Sequence, residues 1–528
     1  MKLFDIIQNP LLAPEFIRRW IVLTIGIVMA IVISFWIVDQ QLLLLGILTG
    51  VMLTVVVAVG LQRNAWLLIL VCWPIVGNIY VLPVPASIHD ISIILATCGY
   101  ITYRVLIGSN ARRPWGILET LVAINCAYVA FTFALHPAGV RALGAGTMGA
   151  RSYINMLLAL CAYWVIVHLP ESYQSVTKAP LWMMGGMVFI TVINLVVYIF
   201  PSTTRFVLPF YGGIDTSSLF SSVSAAEPEA KRFIQLGSFG LMLVQVLVAY
   251  YPPQTLFNPL RWRCYLFLLA IAGILASGFR NTLLFAMVSV VLASIFQRSW
   301  RQLVVMGVAG MASIAMLTFG QGRFFQLPLT AQRALSFLPG QWAESAKEEG
   351  RQSTENRFTW WRTILSEGVI KNWWTGDGFG VSENDFNTLA FSGRTFDWFT
   401  VTGSLHNGPL TTIRYAGVIG LVLYYAWTIA TAVYSVKCVG RCRGSPLFPA
   451  AVFLAVQLVW KPVHYTLIFG AYDVDVPQML FLTGLLVLIL DMVERYPPSL
   501  TAPSTEPIRM PQPATVPRFA LRPGNLGN

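Results

Sequence analysis

The chain has 528 residues, of which 56% are hydrophobic and only 11% charged. A soluble protein of that length needs a larger charged surface, so the repeated apolar runs of about 20 residues read as membrane-spanning helices. The net charge of +12 comes from Lys and Arg scattered over short loops, a pattern that fits orientation in a membrane and gives no argument for nucleic acid.

No run opens with the pattern of a cleavable signal peptide, so the first is expected to be retained. Residues 1–18 read as a mildly amphipathic interfacial segment. Apolar runs follow at about 20–38, 41–61, 65–84, 88–107, 116–135, 151–168, 180–200, 235–252, 264–278, 281–296, 303–319, 408–435, 448–470 and 476–494. The shorter ones would cross with little tilt. With the N-terminus inside, every inner segment carries positive charge: Lys2, Arg18 and Arg19; Arg63; Arg104, Arg112 and Arg113; Lys178; Arg261 and Arg263; Arg298 and Arg301; Lys437, Arg441 and Arg443; and the C-terminal tail. The first outer turns, near Asp39 and at 83–87, carry none. This alternation predicts an even number of spans with both termini in the cytoplasm.

The expected fold is therefore an all-α polytopic membrane bundle of about 12–14 transmembrane helices. Residues 1–319 hold helices 1–11, residues 320–407 form a large extracytoplasmic loop, residues 408–495 hold the C-terminal transmembrane helices, and residues 496–528 form a disordered, Pro-rich cytoplasmic tail. The loop is rich in Trp, Phe, Arg and Glu. A structureless segment of its length is unusual, which predicts short helices packed on the outer face. The tail from Pro497 onward has eight prolines and no apolar run, a composition that does not build a core.

Absent motifs narrow the chemistry. There is no GxxxxGK phosphate loop and no dinucleotide fingerprint, so ATP-driven transport and NAD chemistry have no support. The inner loops are too short for a nucleotide-sugar transferase domain. Any reaction is expected at the outer face, driven by energy stored in its substrate. The seven cysteines all fall in apolar runs or inner loops, so no disulfide framework is implied. Cys438 and Cys442 lack a second ligand pair and read as incidental thiols, with no metal expected.

The candidate chemistry centres on Ser404-Leu405-His406-Asn407-Gly408-Pro409, where the long loop ends and a membrane helix begins. Pro409 suits the first helical turn, and Asn407 or Gly408 the cap before it. His406 then sits at the positive end of a helix dipole, which favours bound anions and disfavours imidazolium. A neutral imidazole is what a general base needs, although a lone histidine at an interface is more often a satisfied surface group. In the following helix Thr412, Ala416 and Gly420 share a face, with Gly417 beside it. Such small residues let a second helix pack close.

Several arginines fall on the side where orientation needs little charge. Arg280 lies in the short turn Ser277-Gly278-Phe279-Arg280-Asn281. Arg357 lies in Asn356-Arg357-Phe358-Thr359-Trp360, and Arg232 follows Lys231 just before an apolar run. Arg414 is inside the helix that His406 opens, about 7–8 Å below its start. Arginine at a membrane edge is often a snorkelling anchor, but guanidinium groups also fit phosphate oxygens as paired donors. Asp90, Glu119, Lys461 and His464 fall within or beside apolar runs and rank below the arginines.

These residues together resemble the O-antigen ligase/polymerase family of bacterial membrane glycosyltransferases. That family carries His-(Asn/Ser/Gln), nine residues, Gly, two residues, then Gly/Thr/Tyr. Here the pattern reads His406-Asn407, Gly417 and Gly420. Arg357 with Trp360, and the turn Gly376-Asp377-Gly378-Phe379-Gly380, look like further family features. Arg280 departs from the usual Ser-Arg, because Gly278 and Phe279 separate it from Ser277. The resemblance covers about residues 230–435.

It implies a metal-independent, inverting transfer outside the bacterial inner membrane, without a cofactor. The donor would be a glycan on undecaprenyl pyrophosphate. His406 would take the proton from an acceptor sugar hydroxyl, and Arg280, Arg357 and Arg232 would hold the pyrophosphate. Arg414 and Asn407 are further candidates for substrate contact, and Gly417 and Gly420 for helix packing. A polymerase would extend surface polysaccharide, exopolysaccharide or O-antigen; a ligase would use lipid A core as acceptor. Membrane lipids and other polysaccharide assembly proteins are expected partners. A transporter or flippase for a lipid-linked solute is the rival class, but no repeated halves support it.

Overall fold

The computed structural model describes residues 52, 64–80, 86–107, 115–139, 147–168, 172–214, 233–382 and 405–497. The predicted spans at 20–38 and 41–61, Arg232, and the tail beyond 497 lie outside these residues, apart from Met52. The described helices are α1 (Trp66–Cys72), α2 (Ile88–Ile107), α3 (Ile117–Leu135), α4 (Ala150–His168), α5 (Ala179–Ile199), α6 (Ile234–Tyr250), α7 (Trp262–Ser277), α8 (Arg280–Phe296), α9 (Trp300–Gly320), α10 (Leu329–Leu335), α11 (Glu344–Ser366), α12 (Gly408–Arg441), α13 (Phe448–Val463) and α14 (Tyr472–Arg495), with short helical connectors between some of them. Extended structure is minor among the described residues. β1 (Thr147–Met148) pairs antiparallel with β2 (Val381–Ser382).

Among the described residues seven helices are long and apolar enough to cross a membrane: α3, α4, α5, α9, α12, α13 with the turn after it, and α14. Helices α6, α7 and α8 are shorter but also apolar. The protein is an all-helical, multi-pass membrane protein.

Most spans begin and end where the apolar runs predict. The run at 65–84 does not. Its helix stops at Cys72, and turns follow at Trp73–Pro74 before the extended backbone around Gly77. Pro74 has no N–H for a continuing ladder, and Gly77 is at φ +151° with the Gly213 backbone against it. Seven helical residues rise about 10 Å, a third of a hydrocarbon core.

The core lies where α14 runs past α4, α12 and α13. Tyr472, Met479, Leu480, Phe481, Leu482, Leu485, Leu486 and Leu488 are all essentially inaccessible. A helix apolar all round belongs in the centre of a bundle. Small residues set several crossings. A side chain at Gly240 in α6 would collide with the Ala270 carbonyl of α7, and one at Gly186 in α5 with the Val71 carbonyl of α1. The α7–α8 hairpin turns on Gly278, a left-handed C-terminal residue at φ +71°. That turn delivers Arg280 as the first residue of α8.

Candidate functional site

The long loop is built on α11, a single helix of 23 residues where only short helices were expected. It acts as a ruler for the site. Gly350 lies directly under the Arg280 guanidinium, so closely that any side chain there would overlap Nη2. Arg357 is seven residues further on, two turns along the same face and about 10 Å away. Trp360 and Trp361 form the next turn. Trp361 Nε1 donates to the Leu405 carbonyl at 3.1 Å, and the Trp360 ring lies 6.4 Å from the His406 ring. Arg280, Arg357 and His406 are thus arrayed along one helix.

Arg280 donates through Nε to the Arg333 carbonyl at 3.1 Å and through Nη2 to Ser336 Oγ at 2.6 Å. Both partners belong to α10 and its end. Arg357 donates through Nη1 to the Ile468 carbonyl at 3.4 Å, a long bond. Neither arginine forms a salt bridge with a described residue. Burial pulls the Arg357 guanidinium below its ordinary value. An anion at this point would replace lost hydration.

His406 is held in the left-handed region at φ +50°. Histidine visits this region more often than most residues, at about 1–2 kcal/mol relative to the right-handed form. Leu405 on one side is buried with Ile364 and Ile370. On the other, Asn407 is the N-cap of α12: its side-chain oxygen accepts from the Leu410 N–H at 3.0 Å. The Phe469 ring lies 5.1 Å from the imidazole. Burial and then the nearby Arg357 charge lower the His406 pKa below its ordinary value, so the ring stays neutral into mildly acid solution.

The two glycines further along α12 do different jobs. Gly417 adopts φ 69° and ψ −177°, which breaks the helix. The freed backbone groups are taken by the turn Trp373–Gly378. Asp377 and Gly378 donate to the carbonyls of Arg414 and Tyr415 at 2.8 and 3.0 Å, while Val418 donates to Trp373 O at 2.8 Å. A side chain at 417 would strike the Trp374 carbonyl. The expected helix packing at Gly417 is therefore corrected: it admits a loop, because φ near +70° is incompatible with a continuous α-helix. Gly420 does pack against a helix, with Tyr128 of α3 over it. Tyr128 also donates to the Ala416 carbonyl at 2.7 Å.

The same turn engages Arg414. Its Nη1 is 2.5 Å from Asp377 Oδ2, and both side chains are largely buried. Asp377 further accepts from the N–H groups of Lys371 and Asn372. The Arg414 charge is thus neutralised within the fold. Asn407 likewise has its oxygen committed as a cap. Among the lower-ranked residues, Asp90 pairs with Arg151 and caps α2 through Ser87, Glu119 accepts from the Gly116 N–H at the start of α3, and Lys461 pairs with Asp475. No described residues form a cluster of three or more His, Cys, Asp or Glu placed to hold a metal ion. Cys438 and Cys442 are free thiols with Sγ atoms 3.8 Å apart.

Sequence reasoning missed Trp361, Ile468 and Phe469 as parts of the site, and named Asp377 only within the turn Gly376-Asp377-Gly378-Phe379-Gly380. The spacing of Trp360-Trp361 three and four residues after Arg357 was the available signal for the first. The others come from turns whose docking has no local signature.

Fold and site together define a multi-pass helical membrane protein with cationic groups and a neutral imidazole gathered at the end of the bundle where α12 begins. Residues 265–425 match the family model described as O-Antigen ligase. This stretch of the chain, which contains Arg280, Arg357, His406, Gly417 and Gly420, is thus similar to the O-antigen ligase family. No curated protein matches the chain.

Proposed function

We propose that the protein is a glycosyltransferase that moves a glycan from undecaprenyl pyrophosphate to an acceptor sugar hydroxyl, as a polymerase of surface polysaccharide, exopolysaccharide or O-antigen. The observation that carries this reading is the juxtaposition of a neutral, partly buried His406 with Arg357, and of Arg280 two turns along α11, inside the matched family segment. His406 takes the acceptor hydroxyl proton as the oxygen attacks the anomeric carbon. The bond from that carbon to the pyrophosphate oxygen breaks on the opposite face, with inversion. Arg357 and Arg280 meet the charge that develops on the leaving pyrophosphate. Arg232 remains a further candidate for that contact. The chemistry proposed needs no metal or cofactor. Arg414 is better placed to hold the docked turn than to meet substrate, because Asp377 neutralises it.

The site is proposed to face the periplasm from the bacterial inner membrane, with residues 320–407 on that side, residues 496–528 in the cytoplasm, and membrane lipids and other assembly proteins around it. The name of the matched family model favours one alternative, a ligase that delivers the glycan to lipid A core.

Reconstitution with a lipid-linked repeat unit, followed by gel analysis, tests the proposal. A ladder of chain lengths is the expected result. Transfer only after lipid A core is added would replace polymerase with ligase. Movement of substrate across vesicles without any glycan product would overturn transfer altogether.

A further inference from the structure

We infer that Lys461 and Asp475 are positioning residues for the His406–Arg357 site, acting through the chain reversal that joins α13 to α14. The roles of His406 and Arg357 rest on the function proposed above; the geometry of the reversal does not.

Lys461, in the last turn of α13, donates through Nζ to Asp475 Oδ1 and to Gln478 Oε1, the latter at 2.6 Å. Asp475, in the first turn of α14, accepts from the Ala471 N–H through Oδ2 at 2.7 Å. One carboxylate therefore ties the end of α13 to the cap of α14. The residues between these ties are a π-helical turn, His464–Ile468, then extended Phe469, followed by Gly470.

This reversal touches the site at three points. Its Ile468 carbonyl accepts from Arg357. Its Phe469 ring lies 5.1 Å from the His406 ring. Its Tyr465 hydroxyl is 2.5 Å from Thr412 Oγ1, one turn into α12. Beneath these contacts Gly470 crosses Gly408 with no room for a side chain: a carbon added to Gly470 would lie 2.5 Å from Gly408 Cα. The start of α12, with His406 two residues before it, is seated on the reversal.

Stability alone does not account for the pair. Lys461 and Asp475 are 8% and 7% exposed, and desolvating each ion costs several kcal/mol, so apolar replacement of a whole buried pair is often neutral or stabilising. The best-attested use of a buried polar pair is to fix register. Here the register fixed is that of Ile468 and Phe469 against Arg357 and His406. Ionisable groups kept inside membrane helices are functional candidates by default.

The test uses the full-length protein in nanodiscs and the double variant Lys461→Met/Asp475→Leu, which avoids leaving one charge unpaired. Two readouts are taken: the His406 imidazole pKa by NMR, assigned by difference from His406→Gln, and the kcat of glycan transfer. The expected result is folded protein whose His406 pKa rises toward the ordinary imidazole value, with kcat reduced about 100-fold, the scale of a 1 Å misplacement. Lys461→Arg, which keeps the ion pair, should stay close to wild type in both. Phe469→Ala leaves the pair intact but removes the ring it places, so it should also raise the pKa; this variant decides the matter if the double variant does not fold. A folded double variant, or Phe469→Ala, with wild-type pKa and kcat overturns the inference. If wild type makes no glycan product, the proposed function fails, while the NMR readout still decides the positioning role.

Discussion

Two regions of the domain present arginine to opposite effect. At the break in α12, Arg414 meets Asp377, and the docked turn fills its own hydrogen bonds with the backbone that Gly417 releases. Along α11, Arg280 and Arg357 hydrogen-bond to carbonyls and a serine hydroxyl, and neither forms a salt bridge with a described residue. The first arrangement is closed and holds shape. The second leaves arginine charge without a salt-bridge partner among the described residues in a partly buried place, next to a histidine whose pKa burial and Arg357 lower. A buried cation without a counter-ion is unfavourable in an empty protein, and favourable only when an anion arrives. Both regions use the residue type that fits phosphate best, so residue type alone cannot separate scaffold from the proposed site; the salt bridge to Asp377 is what sets Arg414 apart.

The sharpest way to break that contrast is His406→Ala. It should lower transfer by about 100- to 10,000-fold, the usual worth of a general base, at unchanged folded yield. Retained turnover would remove the base from the site. Next, Arg357→Gln should lower donor use by about 10- to 100-fold, as expected for lost charge-assisted hydrogen bonds. Arg357→Lys should recover only part of this, since an ammonium does not present a planar fork.

Arg357→Gln also has a pH signature. Burial and Arg357 both disfavour imidazolium in the wild type. If His406 is the base, its active neutral form therefore persists below the ordinary value of about 6.5, and the acid limb of kcat/KM should fall there. Removing the Arg357 charge makes protonation easier, so the limb should move to higher pH. A limb that stays in place would mean that the two groups are not coupled.

In the closed region the currency of loss should be folding. Gly417→Ala places a side chain in a conformation essentially reserved for glycine, at about 1–3 kcal/mol, and against the Trp374 carbonyl. A thermal shift measured on purified protein should show this loss. Transfer per folded molecule should suffer less than in Arg357→Gln. The smallest effect is expected from Asn407→Ala, which removes the N-cap of α12 and about 1 kcal/mol. A large catalytic defect there with normal stability would give Asn407 a substrate contact that its capping bond does not predict.

The helices were largely legible because each is an apolar run bounded by polar turns. The run predicted at 88–107 is α2, Ile88–Ile107, and that at 180–200 is α5, Ala179–Ile199. The run at 65–84 misled because hydropathy averages over Pro74 and Gly77, which end the helix locally. Within the site, the cap at Asn407 followed from Pro409 and residue type. The spacing of Thr412, Ala416 and Gly420, with Gly417 beside them, pointed to helix packing, yet a glycine that lets a helix approach and one that lets a helix break look alike in sequence. The Asp377–Arg414 pair spans 37 positions and depends on how the turn docks, so no local pattern could announce it.

The break at Gly417 also sets a height. Residues 418–441 alone rise about 36 Å, enough to cross a hydrocarbon layer of about 30 Å. The first nine residues of α12 are then not needed for the crossing, and they form a pedestal about 14 Å tall, braced by the docked turn and by Tyr465. His406 stands at its top. In the proposed transfer, a lipid-linked donor anchored in the layer would have to reach up to His406, and an acceptor sugar would approach it without entering the lipid.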